Sequence, residues 1–219
     1  MAHVDLLART EFFADAESAV LVGLAAQASE VSFRRNDLVF QEGDEPDALY
    51  IVIKGRLALV NTAPDGRESV LALMEPGDLF GEMGMLDDLP RSATARALET
   101  STLLKLPYDP VVSVLEASPT LLWGVVKLLA GRIRNMDSAL ADSVFLDVTG
   151  RTAKRLLELS EGRDDFTLPL TQEELAGMVG ASRERVNKAI SSFIRLGWLD
   201  LTDRRYKIVQ RDRLELRAR

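Results

Sequence analysis

Two stretches of this 219-residue chain carry side chains whose types and spacing could do chemistry. The first is Phe80-Gly81-Glu82-Met83-Gly84-Met85-Leu86, followed by Pro90-Arg91-Ser92-Ala93. Glycines beside a short helical turn present backbone N–H groups as an anion cradle. Arg91 adds a charged fork and Ser92 a hydroxyl donor, both suited to a phosphate, and Glu82 is an acceptor for a sugar hydroxyl. The same residues are equally those of a surface turn with an ion pair, and Asp87-Asp88 would repel an anion. The second stretch is Ser182-Arg183-Glu184-Arg185-Val186-Asn187-Lys188. On a helix, arginine can donate two hydrogen bonds to guanine in a DNA major groove, and glutamate can accept from the cytosine amino group. The bland counterpart is a solvated helix of mixed charge.

The elements around the second stretch favour DNA reading. Thr171-Gln172-Glu173-Glu174 is a capping box that opens a helix. Small Ala176 lets two helices cross closely, Gly180 supplies a sharp turn, and Ser182 caps the next helix. The pattern is a helix-turn-helix. On its second helix Val186, Ala189, Ile190 and Phe193 face inward, while Glu184, Asn187 and Lys188 face outward, flanked by Arg183 and Arg185. Trp198–Leu201 and Tyr206–Val209 then form a hairpin around Asp203-Arg204-Arg205, a basic wing. Upstream, Asp147 is an N-cap for a helix carrying Val148, Thr152, Leu156 and Leu159 on one face. That helix stops at Glu161-Gly162, and a strand follows over Phe166–Leu170.

Between the two stretches lies a segment with the spacing of a coiled-coil seam, Pro119 to about Phe145. Its apolar residues Leu122, Val126, Leu129, Ile133, Met136 and Leu140 alternate steps of four and three. The other faces carry Lys127, Arg132, Arg134, Asp137 and Asp142, a wet flank. A narrow stripe with charged flanks predicts the spine of a homodimer. Before it, from Val31 to about Leu106, short β-forming runs such as Leu49–Ile53, Leu57–Asn61 and Ser69–Leu73 are punctuated by glycines, with a turn at Pro64-Asp65-Gly66. This predicts a compact antiparallel barrel or roll. A first helix is expected over Asp15 to Ala28 and a short one over Tyr108 to Ala117. The fold class is therefore α+β, with domains at 1–118 (roll), 119–146 (dimerisation helix) and 147–219 (winged helix-turn-helix).

Composition sets bounds on chemistry. There is no cysteine, which excludes disulfides and thiolate-bound zinc or iron–sulfur clusters. The single histidine, His3, is placed in a mobile N-terminus, so no metal or haem site is expected. No signal peptide is apparent, no apolar run spans a bilayer, and a cytoplasmic location is expected. Net charge is −7, but it is unevenly spread. Residues 1–145 hold 12 Lys and Arg against 22 Asp and Glu, whereas residues 146–219 hold 15 against 12. Only the C-terminal segment has the sign of a phosphate-binding surface. A phosphodiesterase is disfavoured, since the chain lacks clustered ligands for hydrolytic metals and an activated nucleophile. No enzyme activity is expected.

Three segments together resemble the CRP/FNR transcription regulators: FGEMGMLDDLPRSATARA (80–97), FLDVTGR (145–151) and LTQEELAGMVGASRERVNKAI (170–190). The resemblance covers nearly the whole chain. It implies an N-terminal cyclic-nucleotide-binding β-roll of jelly-roll type, a dimerising helix and a C-terminal winged helix-turn-helix. It implies that Glu82 holds the ribose 2′-hydroxyl, that Arg91 and Ser92 hold the cyclic phosphate, and that Gly81 and Ala93 add backbone contacts. It also implies base contacts from Arg183, Glu184 and Lys188, where well-known members carry arginine. The DNA-facing set is completed by Gln172, Ser182, Asn187, Arg204 and Arg205. An inverted-repeat operator is expected, with RNA polymerase as a further expected partner. One departure concerns the base. Members that respond to cyclic AMP place a threonine and then a serine or asparagine where this chain has Met136-Asp137. An ionised Asp137 offers two acceptor oxygens, which suit guanine N1–H and N2–H₂. If Asp137 instead lies on the wet flank, the base is held by packing. Cyclic AMP is the nominal effector, with cyclic GMP or a ligand-independent regulator as alternatives.

Overall fold

The structure, a computed structural model, describes residues 2–66, 68–168, 170–203 and 205–219. It divides into two compact units, Met1–Asn61 with Leu71–Arg134, and Thr62–Val70 with Asn135–Arg219. The division falls inside the long helix.

In the N-terminal half of the chain, two helices, α1 (Ala2–Arg9) and α2 (Ser18–Gln27), precede the strands β1 (Ser29–Phe33), β2 (Leu38–Phe40), β3 (Ala48–Lys54), β4 (Leu57–Thr62), β5 (Glu68–Met74), β6 (Leu79–Phe80), β7 (Thr94–Ala97) and β8 (Ser101–Pro107), all in the first unit but for the Thr62–Val70 segment that ends β4 and begins β5. A short helix, α3 (Met83–Asp87), sits between β6 and β7. The strands form two sheets, ordered β1-β8-β3-β6 and β2-β7-β4-β5. Strand β3 shows why this sequence closes on itself. Successive side chains of a strand point to opposite faces. Leu49 and Ile51 face one core with Phe12, Phe13, Leu104 and Leu106. Ala48, Tyr50 and Val52 face a second core with Leu57, Phe80 and Leu103. Both faces are covered, so the strand reads as an unbroken apolar run.

The N-terminus departs from expectation. It is helical rather than mobile: Leu7 is fully buried, as are Phe12 and Phe13 in the 3-10 turn Glu11–Phe13 that follows. Thr10 Oγ1 donates to Leu7 O at 2.7 Å, and His3 Nε2 lies 2.7 Å from Glu30 Oε1. Helix α2 begins at Ser18, three residues after the expected Asp15.

Helix α4 (Tyr108–Ala117) has the expected bounds and leads through a 3-10 turn, Pro119–Leu121, into α5 (Leu122–Phe145). The first turns of α5 are anchored in the first unit. Leu121 and Val125 enter the core with Phe12 and Phe13. A Cβ on Gly124 would lie 2.6 Å from the Phe12 carbonyl oxygen, so only glycine lets the helix come this close. Of the expected seam residues, Leu129 packs against this same core. Leu122, Val126, Ile133, Met136 and Leu140 are exposed, with Ile133 at 58% and Met136 at 70%.

The second unit holds the end of α5, then α6 (Val148–Leu159), β9 (Asp165–Thr167), α7 (Gln172–Val179), α8 (Arg183–Arg195), β10 (Leu199–Thr202), β11 (Arg205–Ile208) and α9 (Arg211–Arg217). The strand expected over Phe166–Leu170 is thus shorter and starts one residue earlier. Both bonds of the capping box form, between Thr171 and Glu174. Gly180 turns the chain at φ 67°, and Ser182 caps α8. Val186, Ala189, Ile190 and Phe193 are buried as expected. The wing strands pair β10-β11-β9, all antiparallel. Among the described residues, no single helix is long and apolar enough to cross a membrane.

The elbow from α5 to α6 is held by side chains. Asp147 accepts from Gly150 N at 2.8 Å as the N-cap and pairs through both oxygens with Arg217 of α9. Arg151 donates to Leu146 O at 2.7 Å and to Val179 O at 2.9 Å. Lys154 reaches Asp142 Oδ1 at 2.6 Å. The Gly150 N–H, aided by Arg217, holds the Asp147 carboxyl below the usual carboxylate range. A depressed carboxylate stabilises the fold above its ordinary pKa of about 4, and that contribution is lost as pH falls through the lower folded value. Asp147→Ala should therefore cost about 1 kcal/mol at neutral pH. It should also reduce the acid-induced loss of stability, which denaturant melts of parent and variant between pH 2 and pH 7 will read.

Candidate functional site

The first site is built where β6 runs into α3. Glu82 and Arg91, both charged, are buried there at 0% and 5% exposure. Burying a charge is costly unless it is paired and hydrogen-bonded, so the partners matter. Arg91 Nη1 donates to Gly81 O at 2.7 Å and to the Tyr108 hydroxyl at 2.9 Å. Its Nη2 donates to Ala48 O at 2.7 Å and lies 3.5 Å from Asp47 Oδ1. The guanidinium stacks on Phe40, 4.2 Å from the ring centre. Gly81 has φ 81°, and a Cβ there would meet Arg91 Nη1 at 2.8 Å. The glycine is what admits the arginine.

Glu82 is answered from the long helix. Arg132 of α5 bonds Glu82 Oε1 and donates from Nη2 to Leu79 O at 2.9 Å. Burial pushes the Glu82 carboxyl up, against the pull of Arg132. Two polar atoms of this cluster stay without a hydrogen-bond partner among the described residues: Glu82 Oε2 and Arg91 Nε. Gly81, Arg91, Ser92, Ala93 and Arg132 border a cleft of about 40 Å³ together with Phe40 and Met83. An orphan cationic donor thus belongs to a residue that lines the cleft, and an orphan acceptor to Glu82, between the lining residues Gly81 and Met83. That donor set fits a ligand with a hydroxyl and an anionic phosphate.

The structure thus brings Gly81, Glu82, Arg91, Ser92 and Ala93 together. Met136 and Asp137 belong to the second unit, on the C-terminal half of α5, where both are exposed. Arg132, read as part of a wet flank, and Tyr108, read only as a helix start, are the participants that sequence reasoning missed. No spacing marks Arg132, because the seam pattern says which face is apolar and not what the neighbouring face meets.

The second site is the outer face of α8. Ser182, Arg183, Glu184, Arg185 and Lys188 are exposed, and Asn187 is half-buried. None of the charged side chains Arg183, Glu184, Arg185 and Lys188 is ion-paired among the described residues, so each is available to an incoming ligand. Gln172 is more committed: its Nε2 donates to the Tyr206 hydroxyl at 2.8 Å, tying α7 to the wing. Arg205 pairs with Asp165 on the neighbouring strand β9. Arg204 lies outside the described residues. No group of three or more potential metal ligands is found among the described residues.

Comparison with known proteins matches both sites to families. Residues 30–118 match the cyclic nucleotide-binding domain, and residues 150–217 match the Crp-like helix-turn-helix domain. A CRP-like cAMP-activated global transcriptional regulator of Mycobacterium tuberculosis is 38% identical over 98% of this chain and 99% of its own length. A cyclic AMP receptor protein of Thermus thermophilus is 35% identical over 73% and 74%. Among solved structures, a transcriptional regulator of the CRP/FNR family from Thermus thermophilus superposes with a TM-score of 0.72 at 27% identity, covering 87% of this chain and 98% of that one. The chain belongs to the CRP/FNR family of transcription regulators, with a cyclic-nucleotide-binding domain and a DNA-binding helix-turn-helix domain.

The buried pair yields a stability test. Arg132→Ala leaves Glu82 buried without its cation, which pushes its carboxyl further up. A raised carboxyl stabilises fully below the ordinary pKa of about 4 and less as pH rises through the folded value. The variant should lose on the order of 3 kcal/mol at neutral pH, with a smaller loss near pH 4. Glu82→Gln in the same background should restore part of it. Chemical denaturation at pH 4 and pH 8 checks both.

Proposed function

We propose that the chain is a homodimeric, sequence-specific DNA-binding transcription regulator of the cytoplasm, whose DNA affinity is set by a cyclic nucleotide held in the roll. The observation that carries the ligand reading is a pair of buried orphans, Arg91 Nε in a side chain that lines the cleft and Glu82 Oε2 in the residue between Gly81 and Met83, which both line it. Glu82 accepts a ribose hydroxyl through that oxygen. Arg91 and Ser92 donate to the cyclic phosphate, and Gly81 and Ala93 shape the cradle. Because Arg132 already occupies Oε1, ligand and helix share one carboxylate. A change at Glu82 is therefore felt by α5 directly. Cyclic AMP is the nominal effector, supported by the cAMP-activated M. tuberculosis relative. Cyclic GMP is the second reading, favoured by the acceptor oxygens of Asp137.

The exposed apolar stripe of α5 supports the homodimer. Leu122, Val126, Ile133, Met136 and Leu140 form a face whose burial needs a partner helix of the same pattern, and a second copy supplies it. Arg183, Glu184, Asn187 and Lys188 read bases, Gln172 and Ser182 flank them, and Arg204 and Arg205 contact phosphates. Two-fold symmetry makes the operator an inverted repeat with half-sites about 34 Å apart, the spacing general to helix-turn-helix dimers, members of this family included. RNA polymerase is the further partner.

Calorimetry of the full chain against cyclic AMP and cyclic GMP, with DNA binding measured with and without each, tests the reading. Arg91→Leu should abolish most nucleotide affinity, and Arg183→Ala should cost about 1–3 kcal/mol on a cognate half-site and relax discrimination there. If DNA affinity is the same with and without either nucleotide, the regulator is ligand-independent. Asp137→Ala should shift the preference between the two nucleotides if Asp137 reads the base; an unchanged ratio assigns the base to packing.

Ile133→Asp places a carboxylate opposite its own copy in an apolar seam. Sedimentation should show monomer or a much weaker dimer, with operator binding lost in parallel. Leu129 is the poorer choice, since it also packs on its own core. A variant dimer as stable as the parent would remove the seam from the interface.

A further inference from the structure

Arg91 has five N–H donors, and four of them are already engaged inside the protein. Two go from Nη1 to Gly81 O and the Tyr108 hydroxyl, and two from Nη2 toward Ala48 O and Asp47. The remaining Nε–H is buried without a partner in a side chain that lines the cleft. An anion arriving at this arginine therefore meets one ready donor, and the direction of that donor is fixed by what grips the other end. Main-chain carbonyls grip it from two sides. Side chains complete the hold: Asp47 at 3.5 Å, the Phe40 ring beneath, and Tyr108 at 2.9 Å, the shortest of the side-chain hydrogen bonds.

Tyr108 does more than accept. Its hydroxyl takes a bond from Arg91 Nη1 and donates to Gly81 O, which itself accepts from the same Nη1. Three groups close a ring of hydrogen bonds around one end of the guanidinium. The tyrosine ring also lies under the cation, 5.7 Å from Cζ to the ring centre. Burial pushes the phenol up to about 12, so the hydroxyl stays a donor at any physiological pH. Tyr108 is moreover the first residue of α4, and its backbone N donates to Asp47 O at 3.1 Å. Asp47 in turn faces Arg91 and bonds Lys105 Nζ at 2.6 Å.

We infer that Tyr108 is a positioning residue for anion binding: its hydroxyl sets the orientation of Arg91, leaving Nε–H for the ligand phosphate, and ties that arginine to the first turn of α4. The inference rests on the cyclic-nucleotide reading of the cleft and names a residue that reading does not include. Tyr108 touches no ligand in this scheme; it acts through Arg91.

Tyr108→Phe removes one hydroxyl and keeps the ring under the cation. Gly81 O keeps its bond from Arg91, so no buried carbonyl is orphaned. Calorimetric titration of the full chain with cyclic AMP and cyclic GMP should show at least tenfold weaker binding of the preferred nucleotide, with a melting temperature in the absence of nucleotide close to the parent's. Affinity within twofold of the parent overturns the inference while leaving the site reading standing. A parent that binds neither nucleotide overturns both. A second measurement needs no variant to fold. The chain has only three tyrosines, so ¹³Cζ-labelled tyrosine gives a simple spectrum of the parent, assigned by replacing Tyr50 and Tyr206. The Tyr108 resonance should move on titration with a midpoint equal to the calorimetric one. A resonance that stays still at saturation overturns the positioning role.

Discussion

A charged cluster buried in a small β-roll dictates much of what surrounds it. Arg91 and Glu82 could not remain inside without partners, because the desolvation of each ion far exceeds any single hydrogen bond in water. The sequence answers the two in different ways. Arg91 is met chiefly by main-chain carbonyls at Gly81 and Ala48, with Tyr108 and Asp47 completing its shell. That solution requires a residue without a side chain at Gly81 and an aromatic floor at Phe40. Glu82 is met by Arg132, which arrives from the helix that follows the roll. The roll is thus electrically incomplete without the first half of α5. Anchoring that half through Leu121, Gly124 and Val125 follows from the same need.

The helix therefore has two jobs along its length. Its first turns complete the roll, and its later turns carry exposed apolar side chains up to Phe145 at 81% exposure. At the far end the chain turns sharply at Leu146-Asp147, and the turn is fixed by a cap, an arginine fork and a lysine bridge around the buried Leu146. Polar restraints of this kind are directional, so they set an angle, whereas apolar contacts tolerate sliding. Arg151 joins Leu146 to the Val179-Gly180 turn of the helix-turn-helix. Arg151 in this way ties the elbow to the recognition frame within the second unit.

Much of this was legible in the sequence because it rests on local rules. The capping box at Thr171, the cap at Asp147, the turn at Gly180 and the inward set of α8 each involve residues three or four apart, and each is found where the spacing put it. The β-roll was legible as a class, since β3 and its neighbours alternate glycine-bounded apolar runs. What escaped involves long sequence separation or unusual composition. Among the described residues, α1 has one fully buried side chain, Leu7, and α9 has one, Leu214, within the charged run RDRLELR. Each helix is only seven or eight residues long, too short for an apolar repeat to stand out. Arg132 and Glu82 are fifty residues apart, and Tyr108 reaches Gly81 across twenty-seven. The charged flank of α5 is wet at Lys127, Arg134 and Asp137 as read, but Arg132 turns onto Glu82, because only the fold says which flank position lies over the roll. Leu129 shows the same limit from the other side: a perfect seam position that packs on its own subunit.

The charge asymmetry of the chain takes on meaning once pairing is known. The excess of basic residues after residue 145 is small, but it is distributed unequally between paired and unpaired groups. Arg151, Arg211 and Arg217 are absorbed by carbonyls and carboxylates that hold the elbow and α9 in place. Arg205 must exchange Asp165 for any phosphate it meets, so its net gain on binding is the difference between two similar ion pairs. Arg183, Arg185 and Lys188 face no such exchange. For them the full attraction of a polyanion is available, and releasing counterions from it adds to the gain. On the proposed reading, the exposed face of α8 therefore keeps its full attraction for a polyanion, whereas the wing's Arg205 gives up an ion pair for each phosphate it gains.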